Sequence, residues 1–332
     1  MPTTFGFTVS QRASLISSEP LRELLSIGAD ADQVDLIDTV WVGDSLTTKP
    51  RPDAVVSLSA LAATTQRVRL GVACMATFPI RDPLQFALQW SALDQLSGGR
   101  TLLAVCNGIQ KSGGKSEQEG GYFGGITDAE RPALLERNVG IVRQLWTGQP
   151  LGAEFPVYEG LQISPTAQQP VPILLAGLPK AGTVLGDRFF DRVARIADGY
   201  MVTTRSGAQV AAAREQIGAA QDRQGIERID LPITAYTGIG IGENRESVVD
   251  DAIDFFGRYY GPGIFTKESI GYAGIFGSPQ QCIDELSELV QSGVDHLTLR
   301  LPSFQPRAQF ERLVTEVLPV VAAESARGGA ST

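Results

Sequence analysis

Apolar residues along the chain fall into short, nearly continuous runs. Each run is followed by a longer stretch in which apolar positions recur every three or four residues. The runs predict strands at Phe5–Val9, Leu36–Val42, Val68–Cys74, Thr101–Cys106, Ile173–Ala176, Gly199–Thr203, Ile233–Ile241 and Leu297–Leu301. They lack the alternation of a half-exposed strand, so they read as strands covered on both faces. The periodic stretches predict helices at Ala54–Thr65, Pro83–Leu96, Pro132–Leu145, Phe189–Ala197, Gln209–Gln224, Ser247–Tyr259, Gln280–Ser292 and Pro306–Ala323. Strands alternating with helices in this way give a closed parallel (β/α)8 TIM barrel. The intervals that follow the fourth and seventh strands are about twice the usual βα length, which marks insertions there. Loops after strands lie on the C-terminal face of a barrel, where active sites are built. The first insertion opens with Lys111–Gly125, rich in Gly, Ser and charge, which reads as a mobile lid or a solvated loop. It also holds an expected hairpin at Val157–Ile163. Residues 1–323 are expected to form one domain, and 324–332 a flexible polar tail.

Composition narrows the function. The chain has 332 residues, of which 43% are hydrophobic and 20% charged, as in an ordinary globular protein. No apolar run approaches the roughly 18 residues that cross a bilayer. The net charge of -9 argues against nucleic acid or an anionic membrane as partner. Three cysteines are too few and too odd for a disulfide framework, which points to a reducing compartment, the cytoplasm. Met1–Val9 has no basic start and apolar block, so no secretion signal is expected there. His296 is the only histidine, so a two-histidine metal site is excluded, and no metal is expected.

Several motifs carry possible chemistry. Gly43-Asp44-Ser45-Leu46 spells a serine-esterase signature. Its base would have to be His296, which opens the last strand about a strand length from Ser45. A stability role for His296 is the preferred reading. Gly108–Ser116 resembles a phosphate-cradling loop, but it has one residue too many, and the glycine-rich Glu117–Gly125 follows where such a loop needs a helix. Gly238, Gly240 and Gly242 end the seventh strand and read as sites of close ligand approach or a tight turn. Gly177–Arg188 joins the fifth strand to a helix with Asp187 as a fair N-cap. Its glycines and free N–H groups, with Lys180 or Arg188, suit an anion. Arg300 shares an inward strand face with His296 and Thr298, and so needs either a bound anion or an acid such as Asp44. Cys74 and Cys106 end the third and fourth strands, as apolar fillers or as pocket lining. Trp90 and Trp146 read as packing residues.

An ordered set of stretches resembles the bacterial-luciferase-like flavin- and deazaflavin-dependent oxidoreductases. VWVGDS, ATTQRVRLGVA and LDQLSGGRTLLAVCNG come first. LERNVGIVRQLWTG, VYEGLQISP, QPVPILLAG and RIADGY follow, then GSPQQCIDELSELVQSGVDHLTLRL. The resemblance implies a TIM barrel whose C-terminal face binds reduced FMN or coenzyme F420. It places Asp44 as the acid ending the second strand. Ala73, Cys74 and Ala76 fall on the bulge under the cofactor ring, with a cis peptide expected at Ala73–Cys74. Cys106 and Asn107 fall at the end of the fourth strand. Asn107 stands where luciferases have a phosphate-binding arginine, so phosphate contact is assigned to Gly177, Leu178, Thr183 and Arg188. Ser45 and Ile109 stand where the deazaflavin-dependent sugar-phosphate dehydrogenases of the family have a proton-donor histidine and an acid. That acid–base pair is therefore absent.

The resulting expectation is an oxidoreductase, first an FMN- and oxygen-dependent monooxygenase acting on a small organic substrate. Asp44, Ser45 and Arg300 are its candidate catalytic residues. The alternative is hydride transfer with F420, or a flavin-binding paralogue without turnover. The resemblance also implies a homodimer and a separate flavin or F420 reductase.

Overall fold

The structure is a computed structural model and describes residues 3–108, 115–180 and 183–328. Its strands are β1 (Thr4–Val9), β2 (Ile37–Val42), β3 (Arg69–Met75), β4 (Thr101–Val105), β5 (Ile173–Gly177), β6 (Gly199–Thr203), β7 (Ile233–Ile241), β8 (Gly274–Gly277) and β9 (His296–Arg300). Its helices are α1 (Leu21–Asp30), α2 (Ala54–Thr64), α3 (Pro83–Ser97), α4 (Lys115–Tyr122), α5 (Arg131–Trp146) and α6 (Asp187–Ile196). They continue as α7 (Gly207–Gln224), α8 (Arg245–Tyr260), α9 (Pro279–Gln291), α10 (Pro306–Arg312) and α11 (Leu318–Gly328). Every pairing is parallel. β1 to β7 follow one another, β7 pairs with β9, and β9 closes onto β1 with Thr4 opposite His296 and Thr8 opposite Arg300. This is the closed (β/α)8 barrel.

Helix starts follow from side chains that satisfy free N–H groups. Asp53 accepts from Val55 and Val56 at α2, and Asp82 accepts from Gln85 at α3. Ser278 and Gln281 form a reciprocal capping box at α9. Gly98 ends α3 in the left-handed region at φ 71°, which a glycine adopts without a Cβ clash. Outward strand residues pack on the helices in one large core that contains Trp90 and Trp146.

The lumen is a second, smaller cluster of Trp41, Leu102, Ala104, Leu174 and Met201. Trp41 plugs it. A Cβ at Gly71 would lie 2.5 Å from the Trp41 ring, so glycine there is what admits the indole. Below it, His296 joins Thr4 through Nδ1 at 2.7 Å and approaches the Trp41 Nε1 through Nε2 at 3.4 Å. Burial pushes the imidazole pKa down to about 4. The lower barrel is thus closed, and open space is left to the C-terminal end.

Four local expectations change. β8 is an added strand that pairs with the upper half of β7, and Gly238 and Gly274 let the two backbones touch. A Cβ on Gly274 would lie 2.4 Å from the Gly238 carbonyl oxygen, so the glycines of β7 serve strand packing rather than a ligand. The expected hairpin at Val157–Ile163 is a set of turns instead, with Leu151 bonded to Leu161 and Gly160. Gly186, not Asp187, is the N-cap of α6, and no side chain caps it. The last helix runs through Glu324, which accepts a hydrogen bond from Ser287, to Gly328. Among the described residues no helix is long and apolar enough to cross a membrane, and no cluster of side chains could hold a metal.

Candidate active site

A cavity of about 1070 Å³ opens at the C-terminal ends of the strands, large enough for a cofactor and a substrate together. Its floor is the bulge in the last residues of β3, where the Ala73–Cys74 peptide is cis and the β3–β4 register shifts between Val72 and Met75. Ala73, Cys74 and Ala76 line the cavity there, as do Cys106, Asn107 and Gly108 from the end of β4. The Cys74 and Cys106 sulfurs lie 2.7 Å apart. The hydrogen bond to Cys106, together with burial, pushes the Cys74 thiol well above its ordinary pKa. Asn107 Oδ1 is buried without a partner among the described residues.

Asp44 is 6% exposed. Its Oδ2 accepts from the Thr77 N–H at 2.8 Å and the Thr77 hydroxyl at 2.7 Å, and its Oδ1 accepts from Arg81 at 3.0 Å. Arg81 also reaches Asp53 at 3.1 Å. The carboxylate is therefore spent on tying the end of β2 to the chain just after the bulge. It does not pair with Arg300, the acid–base alternative that the strand pattern allowed. Ser45 lines the cavity, and its Oγ accepts from the Lys49 N–H. His296 sits at the other end of the barrel, bonded to Thr4, so the esterase reading has no base.

Arg300 is 3% exposed and does turn inward to the cavity. Its Nε donates to Ser10 Oγ at 3.1 Å and its Nη1 to Tyr260 Oη at 2.5 Å, while Nη2 is buried with no partner among the described residues. Burial works against its charge. Tyr260, Tyr236 and Tyr259 around it nonetheless hold its pKa above the ordinary value.

Gly177 and Leu178 line the far side of the cavity with Arg188 and Arg192 and the uncapped start of α6. The Leu185 side chain packs over Gly177, where a Cβ would lie 2.2 Å from its Cδ1 and would make that side chain shift. Thr183 is exposed, does not line the cavity, and gives its hydroxyl to the Lys180 carbonyl. Arg131 is almost fully buried beside Asp128 and donates to the Asn107 carbonyl. Of the expected lid, Lys111 to Gly114 lie outside the described residues, as does Ile109. The rest opens with α4, so a helix does follow Gly108–Ser116 where the glycines predicted none, and its buried Glu119 accepts from the Thr47 and Thr48 N–H groups and hydroxyls.

The profile of the luciferase-like monooxygenase family matches residues 3–296. The chain belongs to this family. A curated relative of this luciferase-like chain is the F420-dependent glucose-6-phosphate dehydrogenase of Amycolatopsis mediterranei (strain U-32). It is 22% identical over 335 residues, 90% of this chain and 94% of that protein. Among solved structures, an F420-dependent secondary alcohol dehydrogenase with an F420-acetone adduct superposes with a TM-score of 0.75 at 14% identity. That match covers 97% of this chain and 99% of the other. The FMN complex of the oxygenating constituent of 3,6-diketocamphane monooxygenase from Pseudomonas putida gives 0.68 at 14% identity, over 96% and 99%. Likeness at this identity speaks to the fold. The family members are oxidoreductases or monooxygenases.

The luciferase-like motifs led to the floor and the far loop of the cavity. They missed one wall: Lys49, Arg51, Tyr236, Tyr259 and Tyr260 all line it. Lys49 and Arg51 follow Asp44 by only a few residues, so their place near the end of a strand was a usable signal. The tyrosines of α8 carried none, because they fit a packing stripe equally well.

Proposed function

We propose that this chain is an F420-dependent oxidoreductase that moves a hydride between the coenzyme and a small alcohol or carbonyl compound. This reverses the order of the two cofactors expected from the sequence. What carries the reading is the end-to-end likeness to an F420-dependent dehydrogenase, together with a mouth cavity whose floor is an apolar bulge. The residues present fit such a group. Asn107 Oδ1 is an unused buried acceptor, and the bulge offers a flat wall of Ala73 and Ala76. The start of α6 brings free N–H groups, Arg188 and Arg192 for an anionic tail. When bound, F420 supplies two-electron hydride transfer.

The chain's own part is to bind, orient and supply a proton. By the resemblance, Ser45 and Ile109 stand where the sugar-phosphate dehydrogenases have a histidine and an acid. Tyr236 is the group that fills the gap. Its phenol lines the cavity, is bonded to no side chain or backbone atom among the described residues, and is held protonated because burial pushes its pKa up. In carbonyl reduction it would give that proton to the substrate oxygen, and Arg300 nearby would stabilise the phenolate left behind. Solvent then returns the proton. Ser45 Oγ lies on the same cavity to orient the substrate.

Replacing Tyr236 by Phe tests this. Turnover should fall about 100-fold or more, in the usual range for lost general acid catalysis, with F420 affinity within about threefold. Turnover unchanged in that variant would remove Tyr236 from the mechanism. The family description also supports a second reading, oxygen-dependent chemistry with reduced FMN. It predicts substrate-dependent oxygen uptake, which the F420 reading does not.

A further inference from the structure

One wall of the cavity holds three cations with no acid to neutralise them. Lys49 and Arg51 come from the loop after β2, and Arg300 ends β9. They converge on the two tyrosines that end α8. Lys49 Nζ lies 4.5 Å from the Tyr260 ring centre, and the Arg51 and Arg300 guanidinium carbons lie 5.4 and 4.0 Å from that of Tyr259. The two carboxylates that line the cavity nearby are already engaged, Asp44 by Arg81 and Thr77, and Glu119 by Thr47 and Thr48. Among the described residues none of the three cations makes an ion pair, in a protein of net charge -9 whose other arginines are often paired.

The wall is built, not incidental. A Cβ on Gly43 would lie 2.0 Å from Arg51 Nη1, so the glycine of the loop makes the room that the guanidinium occupies. Gly43 is itself clamped on both sides by the buried Gln11 amide. Arg300 Nη2 is buried and has no acceptor among the described residues, which a folded protein tolerates poorly unless a ligand supplies one. Burial and the neighbouring Arg51 push the Lys49 pKa down to about 8, the response of an ammonium held among like charges.

The position separates this wall from the far loop. Around the barrel the order is β9, β1, β2, then on to β5 and β6. The three cations are centred on β1, and the start of α6 follows β5 on the opposite side of the ring. A cofactor held by the start of α6 would leave this wall for the second reactant.

We infer that Lys49, Arg51 and Arg300 form an oxyanion pocket that receives the carboxylate or phosphate group of the substrate. The aromatic faces of Tyr259 and Tyr260 flank that group's carbon end. The pocket's use for substrate rests on the oxidoreductase reading, whereas its affinity for an anion does not.

The test measures anion binding without turnover. Inorganic phosphate and benzoate are titrated into the protein by calorimetry, at ionic strength held constant with chloride. The wild type, the double variant Lys49→Gln/Arg51→Gln, the single variant Lys49→Gln and the far-side variant Arg188→Gln are compared, with F420 affinity measured separately by fluorescence. Saturable binding of at least one probe should weaken tenfold or more in the double variant and severalfold in the single one, with F420 affinity unchanged. Arg188→Gln should leave a Lys49- and Arg51-dependent site in place. The preferred probe tells carboxylate from phosphate. Binding that survives the double variant but is lost in Arg188→Gln overturns the proposal, as does the absence of binding by either probe. A double variant that loses F420 affinity without any change in anion binding also overturns it, because the cations then serve the cofactor. If F420 fails to bind the wild type while the anion site responds as described, the pocket stands and the cofactor reading falls. The single variant guards against misfolding of the double one.

Discussion

Removing the Asp44 carboxylate should loosen the site before it affects any reacting atom. Its side chain is 2% exposed, that of Arg81 16%, and three hydrogen bonds converge on its oxygens. Breaking one side of a buried ion pair costs about 3–5 kcal/mol. Arg81 keeps Asp53 at 3.1 Å, and that partner is 37% exposed, so the lower end applies, about 3 kcal/mol for Asp44→Ala. Asp44→Asn keeps an acceptor for Thr77 and loses only charge, which is worth about 1.5 kcal/mol. At about 2 °C per kcal/mol for a chain of this size, melting should fall by about 6 °C and 3 °C. Because Thr77 follows the bulge directly, cofactor affinity should fall severalfold in Asp44→Ala. At saturating cofactor, kcat should stay within about threefold. The assays are thermal melting, cofactor fluorescence titration and single-turnover kinetics. An Asp44→Asn variant with unchanged melting and cofactor affinity but kcat down 100-fold would refute this. The carboxylate would then touch the reacting atoms, as the sequence first suggested.

Other consequences are direct. Because burial lowers the His296 pKa to about 4, the unfolded state binds more protons between pH 4 and its ordinary value of 6.5. Stability should therefore be full above that range and decline as pH falls through it, by up to about 1.4 kcal/mol per pH unit. Urea unfolding of His296→Gln should show that part of the slope gone. Gly71→Val should cost about 1–3 kcal/mol and shift the near-ultraviolet signal of Trp41, since its Cβ alone would approach the indole to 2.5 Å. An unaltered signal would contradict the lumen packing. Cys282 is fully buried and its thiol is pushed up to about 12, so thiol reagents should reach it only after unfolding. The remaining reaction in the folded state should come from the cavity pair Cys74 and Cys106 and be slowed by bound cofactor. Labelling of all three thiols in the folded protein would count against this arrangement.

Much of the barrel was legible in the sequence because its strands are buried on both faces and therefore stand out as continuous apolar runs. β8 was not, since GIFG is short and glycine-rich and looks like a turn. Its reason for existing is visible only where Gly238 and Gly274 meet. The same period argument placed Arg300 on an inward face, and the structure puts it there. What the pattern could not show was the competition among partners. Asp44 and Arg300 lie on the same cavity, but Thr77 and Arg81 capture the first, and Ser10 and Tyr260 capture the second. Thr183 illustrates the opposite error: a residue in the right loop whose hydroxyl turns back onto Lys180. Lys49 and Arg51 were in plain view seven and nine residues past the end of β2. Charge in a loop carries no information about burial until the glycine and tyrosines that enclose it are in place.

The most direct test of the central claim is an anaerobic titration of the purified protein with F420 and, in parallel, with FMN, each followed by fluorescence. Oxygen uptake is then recorded with reduced cofactor and carbonyl substrates. The account predicts saturable F420 binding at least tenfold tighter than FMN, cofactor turnover with substrate, and no substrate-dependent oxygen uptake. Tighter binding of FMN, with oxygen consumed in step with substrate, would contradict it.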